Sequence, residues 1–291
     1  MRKAALLSLV CLFVSLPLCA ATAAEHAAQG RLALSRDEHE KAVELYTKAV
    51  ALEPRNADHH YFLGVAYGEL AQAANVLKQA SLAKKTKAAF EKAVALEPKH
   101  TDARLALISY YLLAPGFMGG GDDKAVAMAA AIKAYDAIEG HRAHARIHIH
   151  HKKPDLARKE FVEAVRAHPK SAKAHTYLGN HYLFNEKNWS AALHEFESAV
   201  QLEPAYMLAW FRIGQHAAAS GSNYARGEEA LRRYLAYTPS QNEPGHAGAW
   251  MTLGSIQEKQ GKKAEAKTSY TNALKLVPND KGVREALKRV S

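Results

Sequence analysis

The sequence predicts an all-α chain: a right-handed α-solenoid of about seven helix pairs, closed by a C-terminal capping helix. Three observations predict this architecture. A spacing of small, aromatic and proline residues recurs along most of the chain, a pair consisting of an apolar residue and a glycine precedes several of its copies, and a short basic segment follows the last proline. Internal repeats of this kind indicate a stack of similar units that bury one continuous core.

The first pattern is a small residue, an aromatic four positions later, a small residue three after that and a proline five further on. Its four clearest copies are Ala42-Tyr46-Ala49-Pro54, Ala157-Phe161-Ala164-Pro169, Ala192-Phe196-Ala199-Pro204 and Ala266-Tyr270-Ala273-Pro278. Two weaker copies are Thr86-Phe90-Ala93-Pro98 and Gly227-Leu231-Tyr234-Pro239. Proline ends the second helix of each pair because it cannot continue the backbone hydrogen-bond ladder.

The second pattern lies upstream of these copies, where an apolar residue precedes a glycine. It occurs as Leu63-Gly64, Leu178-Gly179, Ile213-Gly214 and Leu253-Gly254. Small residues let two helices approach closely, and aromatic side chains fill the space beside them. Six repeats are legible in this way, and the 71 residues between Pro98 and Pro169 indicate one more.

Read together, the two patterns resemble the tetratricopeptide repeat, whose signature is W-x2-L-G-x2-Y, then A-x3-F, then P. The segment from Trp250 to Pro278 is the best match, with Gln257 in place of the first tyrosine and Tyr270 in place of the phenylalanine. The resemblance implies a concave surface, lined by the first helix of each pair, that binds a protein or peptide. It implies no catalysis.

The predicted organisation follows from these repeats. It comprises a signal peptide at 1–24, repeats at 25–56, 57–100, 101–137, 138–171, 172–206, 207–246 and 247–280, and a capping helix at 281–291. The second repeat is longer than the others, which predicts extended helices around Ala73 to Lys84. The third repeat lacks the terminal proline and carries a glycine-rich loop at 114–121.

The first residues predict export. Arg2 and Lys3 precede an uncharged run from Ala4 to Leu18, and small residues follow at 19–24, with cleavage expected after Ala23 or Ala24. A lipid anchor on Cys19 is the alternative, but the bulky Leu18 stands where lipoprotein signals have a small residue. The run is shorter than a membrane span of about 20 residues, so we expect a periplasmic or secreted protein without a membrane span.

Composition narrows the function further. The two cysteines, Cys11 and Cys19, lie inside the segment predicted to be removed, so we expect no disulfide, thiol nucleophile or cysteine-bound metal. Without Arg2 and Lys3, 37 basic residues face 29 acidic ones, and this balance favours an acidic partner. No basic run carries interleaved aromatics, so we expect no nucleic acid as partner.

A histidine stripe supplies the alternative function, a metal- or small-ligand-binding envelope protein. His141, His144, His148 and His151 share one helix face, and histidines one turn apart can chelate zinc, nickel or copper. The repeat alignment argues against metal binding. His144 and His148 occupy the positions of Leu178 and Tyr182 in the next repeat, so their side chains should face neighbouring helices. We therefore expect no cofactor and a fold that survives a chelator.

The loop of the third repeat superficially resembles a phosphate cradle. It lacks the Gly-Lys-Ser/Thr of such loops and follows no strand, so we expect a reversal between helices, with Asp122 or Asp123 as the helix cap. Phe117 and Met118 at its tip form a possible partner contact. No catalytic triad, carboxylate pair or cofactor motif appears, and the chain is predicted not to be an enzyme.

In the repeat family, residues that alternate with the packing positions of the first helix point into the groove. Applying the same alternation to this sequence selects a partner-binding site. It consists of Arg142, Arg146, Lys173, Asn180, Phe184, Phe211 and Arg212. Cations, an amide and aromatic surface suit an acidic or carboxylate-terminated segment. Thr176 stands where carboxylate-clamp repeats have a lysine, which argues against a heat-shock-protein tail. The alternative is that Arg142 and Arg146 only pair with nearby acids such as Glu139.

Overall fold

The computed structural model describes residues 21–240 and 243–291; most of the predicted signal peptide lies outside these residues. Within them the chain forms fifteen α-helices and no strand. The helices are α1 Ala23–Leu34, α2 His39–Leu52, α3 Ala57–Ala73, α4 Val76–Leu96, α5 Thr101–Leu113, α6 Asp122–Lys133, α7 Ala137–His150, α8 Pro154–Ala167, α9 Ala172–His181, α10 Trp189–Leu202, α11 Met207–Ser220, α12 Tyr224–Leu235, α13 His246–Lys259, α14 Lys263–Leu276 and α15 Lys281–Arg289.

Helices α1 to α14 form seven consecutive pairs, and α15 packs on the last of them. The second helix of each pair contacts its partner and the first helix of the next pair. First helices also contact one another, as α5 does with α7, α9 with α11, and α11 with α13. They therefore form the inner layer of a continuous stack, and the predicted all-α solenoid is confirmed.

The two sequence patterns meet inside several of the pairs. A Cβ atom built on Gly64 would lie 2.5 Å from Cε1 of Phe90, and one built on Gly179 would lie 2.6 Å from Cε1 of Phe196. The aromatic ring of the second helix thus rests directly on the glycine of the first. Only the absence of a side chain permits that approach, which explains why glycine and aromatic recur together.

The C-terminal helix α15 covers the last pair. Val283, Ala286 and Val290 are buried and cluster with Tyr270 of α14. Arg289 adds an ion pair to Glu258 of α13, with Nε 2.7 Å from Oε1. The end of an array would otherwise leave this apolar face open to water.

Three departures from regular repeats matter for the sites below. Helices α3 and α4 are 17 and 21 residues long, and Gly116–Met118 form a single 3-10 turn between α5 and α6. Tyr182–Glu186 continue α9 as a π-helical turn, which ends at Lys187 in a left-handed conformation with φ of 55°.

The predicted cap of α6 is wrong. Gly121 is the N-cap residue, no side chain caps the helix, and Asp122 and Asp123 lie in the first turn. Carboxylates in a first turn still favour the helix, because they oppose the positive end of its dipole.

At the other end of the chain, Thr22 and Glu25 form a reciprocal capping box at α1. The expected cleavage points, after Ala23 or Ala24, would fall in the first turn of this helix. In the part of the chain that the structure describes, no helix combines the length and the apolarity needed to cross a membrane.

Candidate functional site

The inner layer of helices encloses a concave groove of about 890 Å³. Its wall is built mainly from α3, α5, α7, α9, the π-helical turn and α11. The polar and aromatic residues that line it include Tyr61, Asp102, Glu139, Arg142, Arg146, Tyr177, Asn180, Phe184, Arg212 and Glu243. Both charge signs are present, so the pairing of each group decides what the groove can bind.

Glu139 is the centre of a buried polar cluster. Its Oε2 accepts from Arg142 Nη1 at 3.0 Å, and its Oε1 accepts from the Tyr177 hydroxyl at 2.5 Å and lies 2.7 Å from Lys173 Nζ. Burial alone would raise the carboxyl pKa, but Arg142, Lys173 and Tyr177 outweigh it and the pKa of Glu139 is lowered. The carboxylate is thus ionised and already satisfied.

The charge of Arg142 is committed to this cluster. Its guanidinium also donates to the Tyr177 hydroxyl at 3.2 Å and lies 5.0 Å from the centre of the Tyr177 ring. Burial would lower its pKa, yet Tyr177 and Glu139 together raise it. The alternative stated from the sequence, that Arg142 pairs with Glu139, therefore describes the geometry.

Arg146 has different partners. Its Nη1 donates to the backbone oxygen of Leu105 at 3.2 Å and to the Ser109 hydroxyl at 2.7 Å, and both acceptors are neutral. Among the described residues no carboxylate oxygen lies within 4 Å of its guanidinium. Burial, and secondly the positive charge of Arg142, lower its pKa, and the nearby Tyr61, Glu139 and Asp102 offset this only in part.

Arg212 is the second such cation. Its guanidinium donates to the Gln215 amide oxygen, and its centre lies 5.5 Å from the ring centre of Phe184 and 5.7 Å from that of Phe211. Its Nε is buried and has no hydrogen-bond partner in the described structure. Burial lowers its pKa too. Neighbouring rings stabilise the charge only partly.

Two uncharged groups complete the groove. The side-chain oxygen of Asn180 is buried with no hydrogen-bond donor in the described residues. Phe184, on the π-helical turn, is 55% exposed. One offers a hydrogen-bond acceptor and the other an apolar contact.

Five of the seven predicted groove residues line the cavity: Arg142, Arg146, Asn180, Phe184 and Arg212. Lys173 stands beside it as a partner of Glu139 and Asp136. Phe211 does not belong to the groove: it is 3% exposed and its ring packs 5.1 Å from that of Tyr234. Phe211 precedes Ile213-Gly214 by two residues, as the fully buried Thr176 precedes Leu178-Gly179. Tyr61 holds the same position before Leu63-Gly64 and lines the groove, so this register alone does not place a side chain in the core.

Sequence reasoning missed Tyr61, Asp102 and Tyr177 as groove residues. One signal was available for Tyr177. It directly precedes Leu178-Gly179, as Arg212 precedes Ile213-Gly214, so the same register places both in the groove. For Asp102, which lies in the first turn of α5, neither repeat pattern carries a marker.

The histidine stripe is occupied by pairing with acids. His141 Nδ1 lies 2.7 Å from Glu160 Oε2, His148 Nε2 lies 3.9 Å from the other oxygen of Glu160, and His151 Nε2 lies 3.0 Å from Asp122. Burial lowers the pKa of His144. Within residues 21–240 and 243–291, no three histidine, cysteine, aspartate or glutamate side chains are grouped to hold a metal ion.

Of the two residues predicted to form a loop contact, Phe117 and Met118, only the first is fully exposed. Phe117 is 90% exposed, whereas Met118 is only partly so and its backbone oxygen accepts from the Tyr110 hydroxyl at 3.0 Å. Only Phe117 therefore presents its side chain to a partner at this loop.

Family models match three segments of the chain. Residues 30–70 match a TPR repeat, and residues 142–188 and 247–280 each match a tetratricopeptide repeat. The first and last segments coincide with the clearest sequence copies of the pattern, and the middle one spans much of the groove wall. No curated protein sequence matches the chain significantly.

Solved structures show the same fold at low identity. The APC/C hetero-tetramer Cut9–Hcn1 matches at 16% identity with a TM-score of 0.51, covering 89% of this chain and 48% of that chain. Human IFIT1, solved as a dimer with PPP-AAAA, matches at 19% identity with a TM-score of 0.55, covering 93% of this chain and 63% of that chain. The chain thus spans about half to three-fifths of these proteins, and the likeness concerns the fold alone.

Proposed function

We propose that this chain, a tetratricopeptide-repeat protein, is an exported, non-enzymatic scaffold whose concave groove holds a segment of a protein partner. Its repeats and fold support a protein-interaction scaffold in general. The partner segment is extended and carries a carboxylate, either on an acidic side chain or at a chain end. The cell envelope, where such scaffolds assemble complexes, is the setting that the predicted signal peptide suggests.

One observation carries the choice of ligand: Arg146 and Arg212 face the groove with no carboxylate within 4 Å in the described structure. A partly buried guanidinium with neutral hydrogen-bond partners is costly, and a bound carboxylate offsets that cost with charge-assisted hydrogen bonds. Arg142 does not serve this purpose, because Glu139 already neutralises it. The carboxylate is therefore expected at Arg146 and Arg212.

The uncharged groups of the groove indicate which other chemical groups the ligand carries besides its carboxylate. Asn180 presents an unsatisfied oxygen, which suits a backbone N–H of an extended segment. Phe184 offers exposed apolar surface to a hydrophobic side chain, and Arg212 lies beside its ring. An acidic segment with one apolar residue fits these groups better than a uniformly charged one.

Export remains a proposal that rests on the first residues. Cleavage after Ala23 or Ala24 would remove Thr22, and with it the side chain that caps α1. The new amino terminus would then lie next to Glu25. Mass spectrometry of the protein recovered from the envelope or the medium tests this directly: a chain that still begins at Met1 would contradict processing.

A crosslinking experiment tests the groove. A photoreactive phenylalanine analogue replaces Phe184, and a matched control carries it at Leu276, which is 41% exposed on the last pair. Irradiation in the source organism's envelope fraction, followed by mass spectrometry, identifies the captured protein. Capture at Phe184 but not at Leu276 supports the proposal. Equal capture at both positions contradicts it.

A further inference from the structure

The second helix pair extends far beyond its neighbours. Between Ala66 in α3 and Thr86 in α4, no residue is buried. Tyr67 and Ala83 still pack on the neighbouring core clusters, whereas the residues between them are exposed or only partly buried. Ordering so many residues costs conformational entropy, and little burial offsets it within this chain.

The tip of this hairpin is apolar. Val76 and Leu77, in the first turn of α4, are 80% and 90% exposed. Asn75 caps the helix by accepting from Lys78 N at 3.2 Å, so the turn that carries them is a formed helical turn. Large aliphatic side chains held this far into water at the end of a projection indicate an interaction site.

The shaft behind the tip is basic. Residues 70–90 contain Lys78, Lys84, Lys85 and Lys87 and no acidic residue. Lys78, Lys84 and Lys85 are exposed, while Lys87 is partly shielded beside Glu91. The hairpin thus has an apolar tip, and the part of α4 that follows the tip is positively charged.

We propose that this hairpin tip docks on an anionic lipid surface, with Val76 and Leu77 inserted and the lysines among the headgroups. Lys84 and Lys85 follow Leu77 by seven and eight residues, which at 1.5 Å per residue places them about 10 Å along the helix. Interfacial segments bury their apolar residues about 5–10 Å into the headgroup boundary, so this spacing matches the depth. Lysine side chains reach back to phosphates while their stems cover apolar surface.

The charge pattern favours lipid over a protein groove. A protein site for two aliphatic side chains needs no lysines on the shaft, whereas an anionic bilayer attracts each one independently. The surface is separate from the concave groove, because none of the tip residues lines that cavity. A scaffold built in this way would hold its partner next to a membrane.

A site-specific fluorescence measurement tests the proposal in the full chain. A Leu77→Trp variant is mixed with vesicles of phosphatidylcholine and brominated phosphatidylglycerol, and quenching is compared with that of the parent, which has three tryptophans. A matched control, Leu52→Trp, places the probe on α2 at a residue that is 55% exposed. The difference in quenching between a variant and the parent reports on the position of the added tryptophan, independently of the predicted signal peptide.

The expected result is quenching in Leu77→Trp beyond the parent, with none gained in Leu52→Trp or with neutral vesicles. Adding Lys84→Gln and Lys85→Gln should weaken partitioning by about fivefold per lysine, and Lys263→Gln with Lys275→Gln should not. Absence of extra quenching at position 77 would overturn the proposal, as would equal quenching at both probes. Capture of the tip by a protein without vesicle binding would also overturn it.

Discussion

The Arg142 guanidinium donates to Glu139 Oε2 across 3.0 Å at the wall of the groove, and it joins α7 to α9 through the Tyr177 hydroxyl that both residues share. Two arginines one helical turn apart therefore have different partners. Arg142 is ion-paired with Glu139, whereas the guanidinium of Arg146 donates to the neutral acceptors Leu105 and Ser109.

The first prediction concerns Glu139. Replacing it with alanine leaves Arg142 and Lys173 without their shared acid, and breaking a buried pair costs about 3 kcal/mol or more. We expect the lower end of that range, since the two cations are about one-third exposed. Urea unfolding at pH 7 measures it.

The pH dependence supplies the control for Glu139. Because its pKa in the folded state is lowered, its stabilisation is complete above the unfolded pKa of about 4.5 and is lost as the pH falls through the folded value. The difference between the parent and Glu139→Ala should therefore shrink in acid. A constant difference down to pH 3 would show that packing alone is responsible.

The second prediction concerns the two groove cations. Arg146→Ala with Arg212→Ala should weaken binding of the captured segment by tenfold or more, since each charge-assisted hydrogen bond contributes about 1.5 to 3 kcal/mol. Fluorescence anisotropy with a labelled peptide of that segment measures it. The sequence analysis selected Arg142 with Arg146; we propose Arg212 in place of Arg142, because Arg142 pairs with Glu139. A matched control, Arg166→Ala with Arg284→Ala, should retain affinity, and full affinity in the groove variant would contradict the proposal.

The third prediction concerns the helix-pair contact. Gly64→Ala places a methyl group 2.5 Å from Cε1 of Phe90, which should destabilise the chain by about 1 to 3 kcal/mol through overpacking. Gly116→Ala, in the turn between α5 and α6, meets nothing within 4 Å and should leave the melting temperature nearly unchanged. Adding Phe90→Leu to Gly64→Ala should restore part of the loss. No loss in the single variant would mean that the pairs are less tightly packed than described.

The fourth prediction concerns two buried histidines. His181 and His216 are 1% exposed, and burial lowers the pKa of both. Their stabilisation is complete above the unfolded pKa of about 6.5 and is lost as the pH falls. His175, whose pKa Glu195 raises, opposes this in part.

Unfolding free energy should therefore decrease from pH 7 to pH 5. His216 Nε2 lies 2.9 Å from the backbone oxygen of Trp189, and glutamine can keep that hydrogen bond without titrating. His216→Gln should accordingly flatten the pH profile. A profile of unchanged slope in this variant would exclude His216 as a contributor.

The fifth prediction is that EDTA leaves the melting temperature unchanged. His141 pairs with Glu160 and His151 with Asp122, so we expect folding to be independent of an ion there. Differential scanning calorimetry with and without EDTA, and with added zinc or nickel, measures it. A clear loss of stability in chelator would restore the metal-binding alternative.

How much the sequence could predict follows from the distances involved. Helix pairs are local, so the spacing of Gly64, Phe90 and Pro98 was sufficient to predict them. The cluster of Glu139 with Tyr177 joins residues 38 apart, and no spacing rule sets which polar tips meet across two repeats. Phe211 was placed in the groove by the sequence analysis because an aromatic residue suits both a core and a groove. Its register relative to Gly214 does not decide between them, since Tyr61 has the same register relative to Gly64 and lines the groove.

Helix α15 also limits how the protein can grow. In a stack of similar repeats, each repeat has an apolar face on which another repeat can pack. The last repeat would therefore expose such a face unless another segment covered it. By laying Val283, Ala286 and Val290 on its own last pair, the chain occupies the surface onto which a further unit would add. Head-to-tail association of two chains through this face would therefore require α15 to detach from α14 first.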